Sequence, residues 1–409
     1  MADKPALAHA VSTTAAPAAR TWDAAFLWFT VAYGLLNFGQ GVFPPLLPQI
    51  MDGLGLQFAT VGLLGSAFGL ARFVTDLPAG LMTERQGPLV VLHAGIACLL
   101  GGTLLSAWAP SLALMLLARA LVGVGSGLTI VVSILFVMRR GPAASRTRRG
   151  NVYEIGVIGG TGLSAWLGGQ AAAQLGWRSG FVVAAAAIAA AWGLTALRLG
   201  PALRELGAPA PARPAPSAAR GGTPWGAVLA IYLATFTLAV SWAGGIGTLL
   251  PLYGGRALGL PADVLGRVLS AAYAIEAAVL VPVGWTADTL GRVRVLVAGF
   301  LVMLVGAAAV PLTASTAGFG VAATLLILGL TTWMVPPVLL AERLPGGFRG
   351  PAAGLYRLVS DFAYIIAPGS VGWLIGRHGF RLTGLLMAGL VAAAILVAIP
   401  VLGRRPRAA

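Results

Sequence analysis

The chain has 409 residues, of which 58% are hydrophobic and 10% charged, and its 27 basic and 12 acidic residues give a formal net charge of +15. Soluble chains average roughly 45–50% apolar and about 25% charged residues, so a single soluble domain is excluded; disorder, which needs low hydrophobicity, is excluded as well. A lone cysteine, Cys98, rules out an internal disulfide, and His9, His93 and His378 are too scattered for a metal-binding spacing.

Residues 1–23 are Ala-rich, carry Pro5 and Pro17, and lack a cleavable apolar core, so they read as a loose cytoplasmic tail. A membrane-crossing helix takes about 20 mostly apolar residues. Apolar runs bounded by glycine, proline or charge predict such helices at 24–46, 57–81, 88–108, 111–137, 151–175 and 178–198. Residues 199–224 interrupt the series with Pro209, Pro211, Pro214 and Pro216 among Arg204, Glu205, Arg213 and Arg220, the composition of a linker. Six more runs follow at 225–251, 262–286, 293–314, 317–341, 351–376 and 381–402, and then a short basic tail at 403–409. The expected fold is an all-α membrane protein of twelve helices in two bundles, 24–198 and 225–402.

Nineteen basic residues fall on the side of the N-terminus and 5 on the other; Arg72, Arg119 and Arg357 lie inside spans. Basic residues concentrate on the cytoplasmic face, so both tails and the linker are expected there, in a bacterial inner membrane. The +15 is then an orientation signal and not a nucleic-acid footprint. The halves also repeat. Pro78, Gly80, Glu84, Gly87, Val91 and Leu92 recur 204 positions later as Pro282, Gly284, Asp288, Gly291, Val295 and Leu296, and Leu54-Gly55-Leu56 recurs at the same offset as Leu258-Gly259-Leu260. A constant offset implies duplicated halves of like orientation, with a binding site at their interface.

These residues resemble the major facilitator superfamily. Its loop motif between helices two and three runs roughly G-x-x-x-D-R-x-G-R-R; here Gly80, Arg85 and Gly87 are kept and Glu84 replaces the aspartate. The second copy keeps Gly284, Asp288, Gly291, Arg292 and Arg294. Arg119-Ala-Leu-Val-Gly123 is similar to the family's helix-four R-x-x-x-G motif. The helix-five G-P-x-x-G-G motif of antiporters is replaced by Ser164–Gly169 without proline, whereas Ala367-Pro368-Gly369 keeps one in helix eleven. The stretch from Asn37 to Pro48 looks like that of twelve-helix drug and metabolite exporters. The resemblance implies alternating access around a cavity lined by helices one, four, seven and ten.

Ionisable groups inside the bilayer are costly, about 2.5–3.5 kcal/mol on insertion scales, and call for a partner or a function. Glu276 lies roughly 18 Å inward of Asp288 by helical rise, near the midplane, and is the first candidate for carrying protons. The plainer reading is a structural acid beside an arginine. Arg357 and Asp361, and likewise Arg72 and Asp76, are four apart and share a helix face, either as self-neutralised pairs or as coupling groups. The resemblance ties Arg119 to proton coupling or to structure. Glu154 is placed to pair with Arg119 or with the basic loop 139–149. Tyr33, Asn37, Gln40, Trp242 and Trp333, near the glycine and proline breaks of helices one, seven and ten, are candidate cavity contacts, with helix packing as the alternative.

For gating, Glu84 and Asp288 end helices two and eight, while Arg149 and Arg349 precede the starts of helices five and eleven. An acid gains from a helix N-terminus and a nearby arginine, so Glu84 reaching helix eleven and Asp288 reaching helix five would latch the cytoplasmic side. No GxxxxGK[ST] loop for ATP and no Ser/His/Asp or HExxH constellation is present, so an enzyme is not expected. The leading expectation is a monomeric secondary transporter of a small molecule, driven by protons with no bound cofactor and no nucleic-acid partner. Export by proton exchange comes first, uptake of an organic anion second, and a non-transporting sensor is a remote third.

Overall fold

The structure, a computed structural model, describes residues 23–140, 146–207, 225–344 and 351–403; Arg349 of the expected latch lies outside them. The first bundle comprises α1 (Ala24–Gly53), α2 (Phe58–Gln86), α3 (Pro88–Trp108), α4 (Leu112–Arg139), α5 (Arg146–Leu175) and α6 (Trp177–Leu206). The second comprises α7 (Trp225–Ala257), α8 (Ala262–Leu290), α9 (Arg292–Leu312), α10 (Thr316–Arg343), α11 (351–378) and α12 (380–402), the last two separated where Gly379 takes a φ of 78°. Ten stretches are long and apolar enough to cross a membrane, one of them containing both α11 and α12. α5 is not among the ten, since its stretch beyond the basic opening turn is interrupted by glycine, serine, threonine and glutamine. No strand occurs among the described residues. The protein is a multi-pass, all-helical membrane protein with twelve helices, as expected.

Local chemistry sets the helix ends. The Asp23 carboxylate accepts from the Phe26 amide at 2.7 Å, and the Ser315 hydroxyl from the Gly318 amide at 3.1 Å, each satisfying a donor that the first turn leaves free. Gly87 (φ 88°) and Gly291 (φ 100°) separate α2 from α3 and α8 from α9 in a conformation only glycine adopts without strain. Gly55 (φ 62°) and Gly259 (φ 65°) match in the same way after α1 and α7, so the sequence repeat is also a backbone repeat.

One boundary needs correction. α6 continues past 198 to Leu206, so the first residues of the expected linker are helical. Pro201 sits where the α-helix resumes after a π-helical stretch at Thr195–Leu199, a restart at which its missing N–H is tolerated. Ala202, Leu203 and Leu206 then bury one face.

Phe29, Leu92, Phe136 and Ile188 centre the core of the first bundle; Ile231, Phe300, Leu326 and Val391 centre that of the second. A third cluster, around Phe43, Leu46, Phe181, Leu249 and Ile375, joins the two halves at the end away from the chain termini, here called the far end. The halves meet along two seams, α2 against α11 and α5 against α8. At the far end the backbones touch. A Cβ added at Gly62 would lie 2.4 Å from the Pro368 carbonyl oxygen, and one at Gly266 would lie 2.3 Å from that of Ala165. Toward the terminal end the contacts are looser: a Cβ at Gly80 meets nothing within 4 Å, and one at Gly284 would lie 3.7 Å from the Asn151 side chain of α5, an ordinary contact across the second seam.

Candidate functional site

Irregular helices shape the centre. α1 loses regularity at Asn37 and Val42, α7 is π-helical over Ser241–Leu249, and α10 passes through a 3₁₀ turn at Gly329–Thr332 before its prolines. Backbone groups freed in this way need partners inside the protein. At the α1 bend the Phe38 carbonyl accepts from the Ser164 hydroxyl at 2.9 Å, and the Asn37 amide donates to the Tyr33 carbonyl at 2.8 Å. Ser164 thus stands where the antiporter motif has its altered stretch, and it ties α5 to α1.

A narrow cavity of about 40 Å³ opens among α1, α2, α4, α5, α7, α8 and α11. Gln40 and Trp242 line it as expected, and Gln40 also donates to the Ser126 hydroxyl at 3.3 Å. The other three expected contacts lie elsewhere. Tyr33 packs its ring 5.1 Å from that of Tyr153, Asn37 is spent on its own helix, and Trp333 fills the space between the cores of the two halves. α10 contributes no described lining residue. Phe43, Phe68, Tyr273 and Tyr364, not foreseen, provide most of the aromatic wall.

Arg119 reaches this cavity from α4. It is 4% exposed, its Nε and Nη1 have no hydrogen-bond partner, and no ion pair to it occurs among the described residues. Its guanidinium lies 3.9 Å from the centre of the Phe43 ring and 5.2 Å from that of Phe68. Such cation–π stacking stabilises a desolvated cation but leaves its charge uncompensated.

The remaining intramembrane charges sit on the seams. Between α2 and α11 the expected in-helix pairs are partly replaced by pairs across the seam. Arg357 donates from Nε to Asp76 at 2.6 Å, and the Arg72 guanidinium lies 3.7 Å from Asp361. Within α11, Arg357 and Asp361 also remain 3.2 Å apart, whereas no Arg72–Asp76 ion pair forms. Arg72 Nε, Asp76 Oδ1 and Asp361 Oδ1 are enclosed without a hydrogen bond, so the cluster is neutral but incompletely bonded. The other seam differs in character. Glu276 of α8 is 5% exposed and lies within electrostatic reach of Glu154 of α5. Neither acid has an ion pair among the described residues, so the expected Arg119–Glu154 pair does not form. Arg149 is buried, and Arg140 of that loop instead binds Asp23 at 2.7 Å.

Among the described residues no ion pair joins Glu84 or Asp288 to the opposite half. Asp288 bonds to Arg292 of its own half at 3.0 Å, and Arg292 also pairs with Glu342 of α10. Glu84 and Arg85 are exposed. An unforeseen contact closes the far end: Asp52, ending α1, pairs with Arg256, ending α7. Their separation of 204 is the repeat offset, a signal that was present in the sequence.

With this architecture in place, comparison with known proteins is decisive for the family. The sequence matches the Major Facilitator Superfamily over residues 29–337 and again over 231–409. The chain belongs to the Major Facilitator Superfamily. Its fold is similar to that of a bacterial homologue of the human lysosomal transporter Spinster, solved inward-facing and unoccupied (TM-score 0.69, 16% identity, 94% of this chain and 98% of that one) and inward-facing and occupied (TM-score 0.68, 16% identity). Among curated superfamily relatives, the cis,cis-muconate transport protein of Acinetobacter baylyi is 34% identical over 99 residues, 24% of each chain. The probable 4-methylmuconolactone transporter of Cupriavidus pinatubonensis is 27% identical over 160 residues, 37% of each chain. The inner membrane transport protein YajR of Escherichia coli is 31% identical over 103 residues, 24% of this chain and 23% of that one. The matches thus span between about a quarter and about a third of these relatives' length.

Proposed function

We propose that this superfamily member is a secondary active transporter of the bacterial inner membrane that carries a small organic acid by alternating access, with protons as the driving ion. The observation that carries the reading is the unpaired Arg119 in a cavity between the two halves. A buried cation without a partner is costly unless an anion arrives to share it. Two of the curated relatives have names that refer to organic-acid cargo, which supports the same class. Glu276, buried and without a cation partner, is assigned the proton, and the four-charge cluster on the opposite seam the coupling between halves. The terminal face is read as cytoplasmic from its basic residues; the closely packed far end then faces outward.

Uptake of acid and proton together fits a site that presents a cation to the cargo. Export by proton exchange is the second reading, favoured by the exporter-like stretch from Asn37 to Pro48. Proteoliposomes separate the two. Under symport, an acidic exterior drives accumulation of a labelled carboxylate above the level in protein-free vesicles, and a protonophore abolishes it. Under exchange, the same gradient empties preloaded vesicles. Absence of protein-dependent flux in either direction would remove the transport reading.

A further inference from the structure

The next inference rests on the transport reading and narrows its cargo. We propose that the cavity selects a planar molecule bearing a single carboxylate and discriminates against dicarboxylates. Among the described lining residues Arg119 is the one charged side chain, so the cavity holds one uncompensated positive charge. A single carboxylate on the guanidinium fork brings that charge to zero. A second carboxylate would find only neutral partners such as Gln40, Thr161 and Thr248. Arg72, whose guanidinium lies 5.1 Å from the centre of the ring of the lining residue Tyr364, is already committed to Asp361. Recruiting it would break a buried ion pair, which leaves Asp361 short of a partner.

The walls define the body of the cargo. Phe43 and Phe68 flank the guanidinium, and Trp242, Tyr273 and Tyr364 face the rest of the space, with the Trp242 and Tyr364 rings 5.3 Å apart. Aromatic faces at these spacings favour a flat, unsaturated partner over a branched or heavily hydroxylated one. Gln40, Thr161 and Thr248 can hydrogen-bond one neutral polar substituent.

The test is equilibrium binding to the purified full-length protein in nanodiscs, read by calorimetry and by thermal shift. Benzoate and trans-cinnamate serve as monocarboxylates, terephthalate as a planar dicarboxylate, and benzamide and cinnamamide as neutral isosteres. The monocarboxylates are expected to bind saturably, at least about tenfold more tightly than terephthalate and the amides. Arg119→Gln is expected to weaken cinnamate at least about tenfold and Arg119→Lys less. Terephthalate or an amide binding as tightly as the acids, or no saturable binding of either monocarboxylate, would overturn the proposal. So would an Arg119→Gln protein that folds and binds cinnamate as the parent does; if it does not fold, the comparison of acids with amides on the parent decides. Selective cinnamate binding without flux in proteoliposomes overturns the transport reading and leaves this inference standing. Proton-driven flux of a dicarboxylate without monocarboxylate binding does the reverse.

Discussion

Asp76 on α2 and Arg357 on α11, 281 residues apart in the chain, share a hydrogen bond of 2.6 Å across the seam between the two halves. Each belongs to an Arg-x-x-x-Asp stretch, and the two helices run antiparallel, so each acid can choose between an arginine four residues away on its own helix and one across the seam. A parted seam would leave no charge alone if Arg72 turned to Asp76, four residues along its own helix, as Arg357 already does to Asp361.

This arrangement makes a charge swap informative. In the double variant Asp76→Arg with Arg357→Asp both cross-seam pairs survive, but each helix then carries two like charges four apart, a repulsion of about 0.2–0.5 kcal/mol at exposed sites and more when buried. Thermal stability in the far-closed state is expected to stay near that of the parent. Transport is expected to fall about tenfold or more, the effect of about 1.4 kcal/mol added to the barrier for parting. Retention of full turnover by the swapped protein would show that the in-helix pairs play no part in the cycle.

The contact between Asp52 and Arg256 closes the far end at an exposed position, where an ion pair contributes about 0.2–1 kcal/mol. Asp52→Asn or Arg256→Gln is expected to raise the far-open population by a factor of about 1.4 to 5, as those energies imply. The swapped pair Asp52→Arg with Arg256→Asp should restore the parental balance. Labelling rates of a cysteine placed in the cavity, in a Cys98→Ala background, measure the shift from the far side.

The glycine contacts along the seams predict opposite outcomes at the two ends. Gly266→Val and Gly62→Val push a side chain into a facing backbone, at a cost of about 1–3 kcal/mol for overpacking, and are expected to lower thermal stability and favour the far-open state. Gly80→Ala lies in open space within a helix, where alanine contributes up to about 1 kcal/mol more than glycine. It should leave stability unchanged or raised while slowing transport, if the terminal end must close on it during the cycle. Melting temperature and proteoliposome flux, measured on the same preparations, check both.

Glu276→Gln removes a buried acid that has no ion pair among the described residues. Cargo binding is expected to remain within about twofold, because Arg119 and not Glu276 faces the cargo. Uphill movement driven by a pH gradient should vanish, while exchange of labelled for unlabelled cargo persists. Loss of exchange together with uphill flux would place Glu276 in the cargo site instead.

The repeat of 204 and the punctuated apolar runs already specify twelve helices and their pairing into halves, since both are properties of the chain alone. The charged residues inside the membrane were equally legible, because their cost in a bilayer marks them. Their partners were not. The four-residue rule joins Arg72 to Asp76, but which helix faces α2 is decided by packing between halves, and there Arg72 turns to Asp361. Cavity contacts failed for a related reason. Each residue rotates about 100° around a helix, and the bend at Asn37 and the widened turns of α7 shift that phase, so Gln40 faces inward and Tyr33 does not. Phe43 and Phe68 carry no polar signal and read as ordinary packing until Arg119 is seen between them.

Asp52 and Arg256 stand at equivalent places in the two halves and still touch. A residue can meet its own counterpart only beside the axis that relates the copies. In a dimer of identical halves that contact would have set aspartate against aspartate or arginine against arginine. Attraction at this point is open only to a single chain whose copies have diverged. The same divergence put Arg72 in one half and Glu276 at the matching place in the other, so that an arginine bound to an acid on one seam has a buried acid as its counterpart on the other. What joining the halves in one polypeptide gained was therefore asymmetry, the freedom to assign different electrical tasks to two surfaces that began as one.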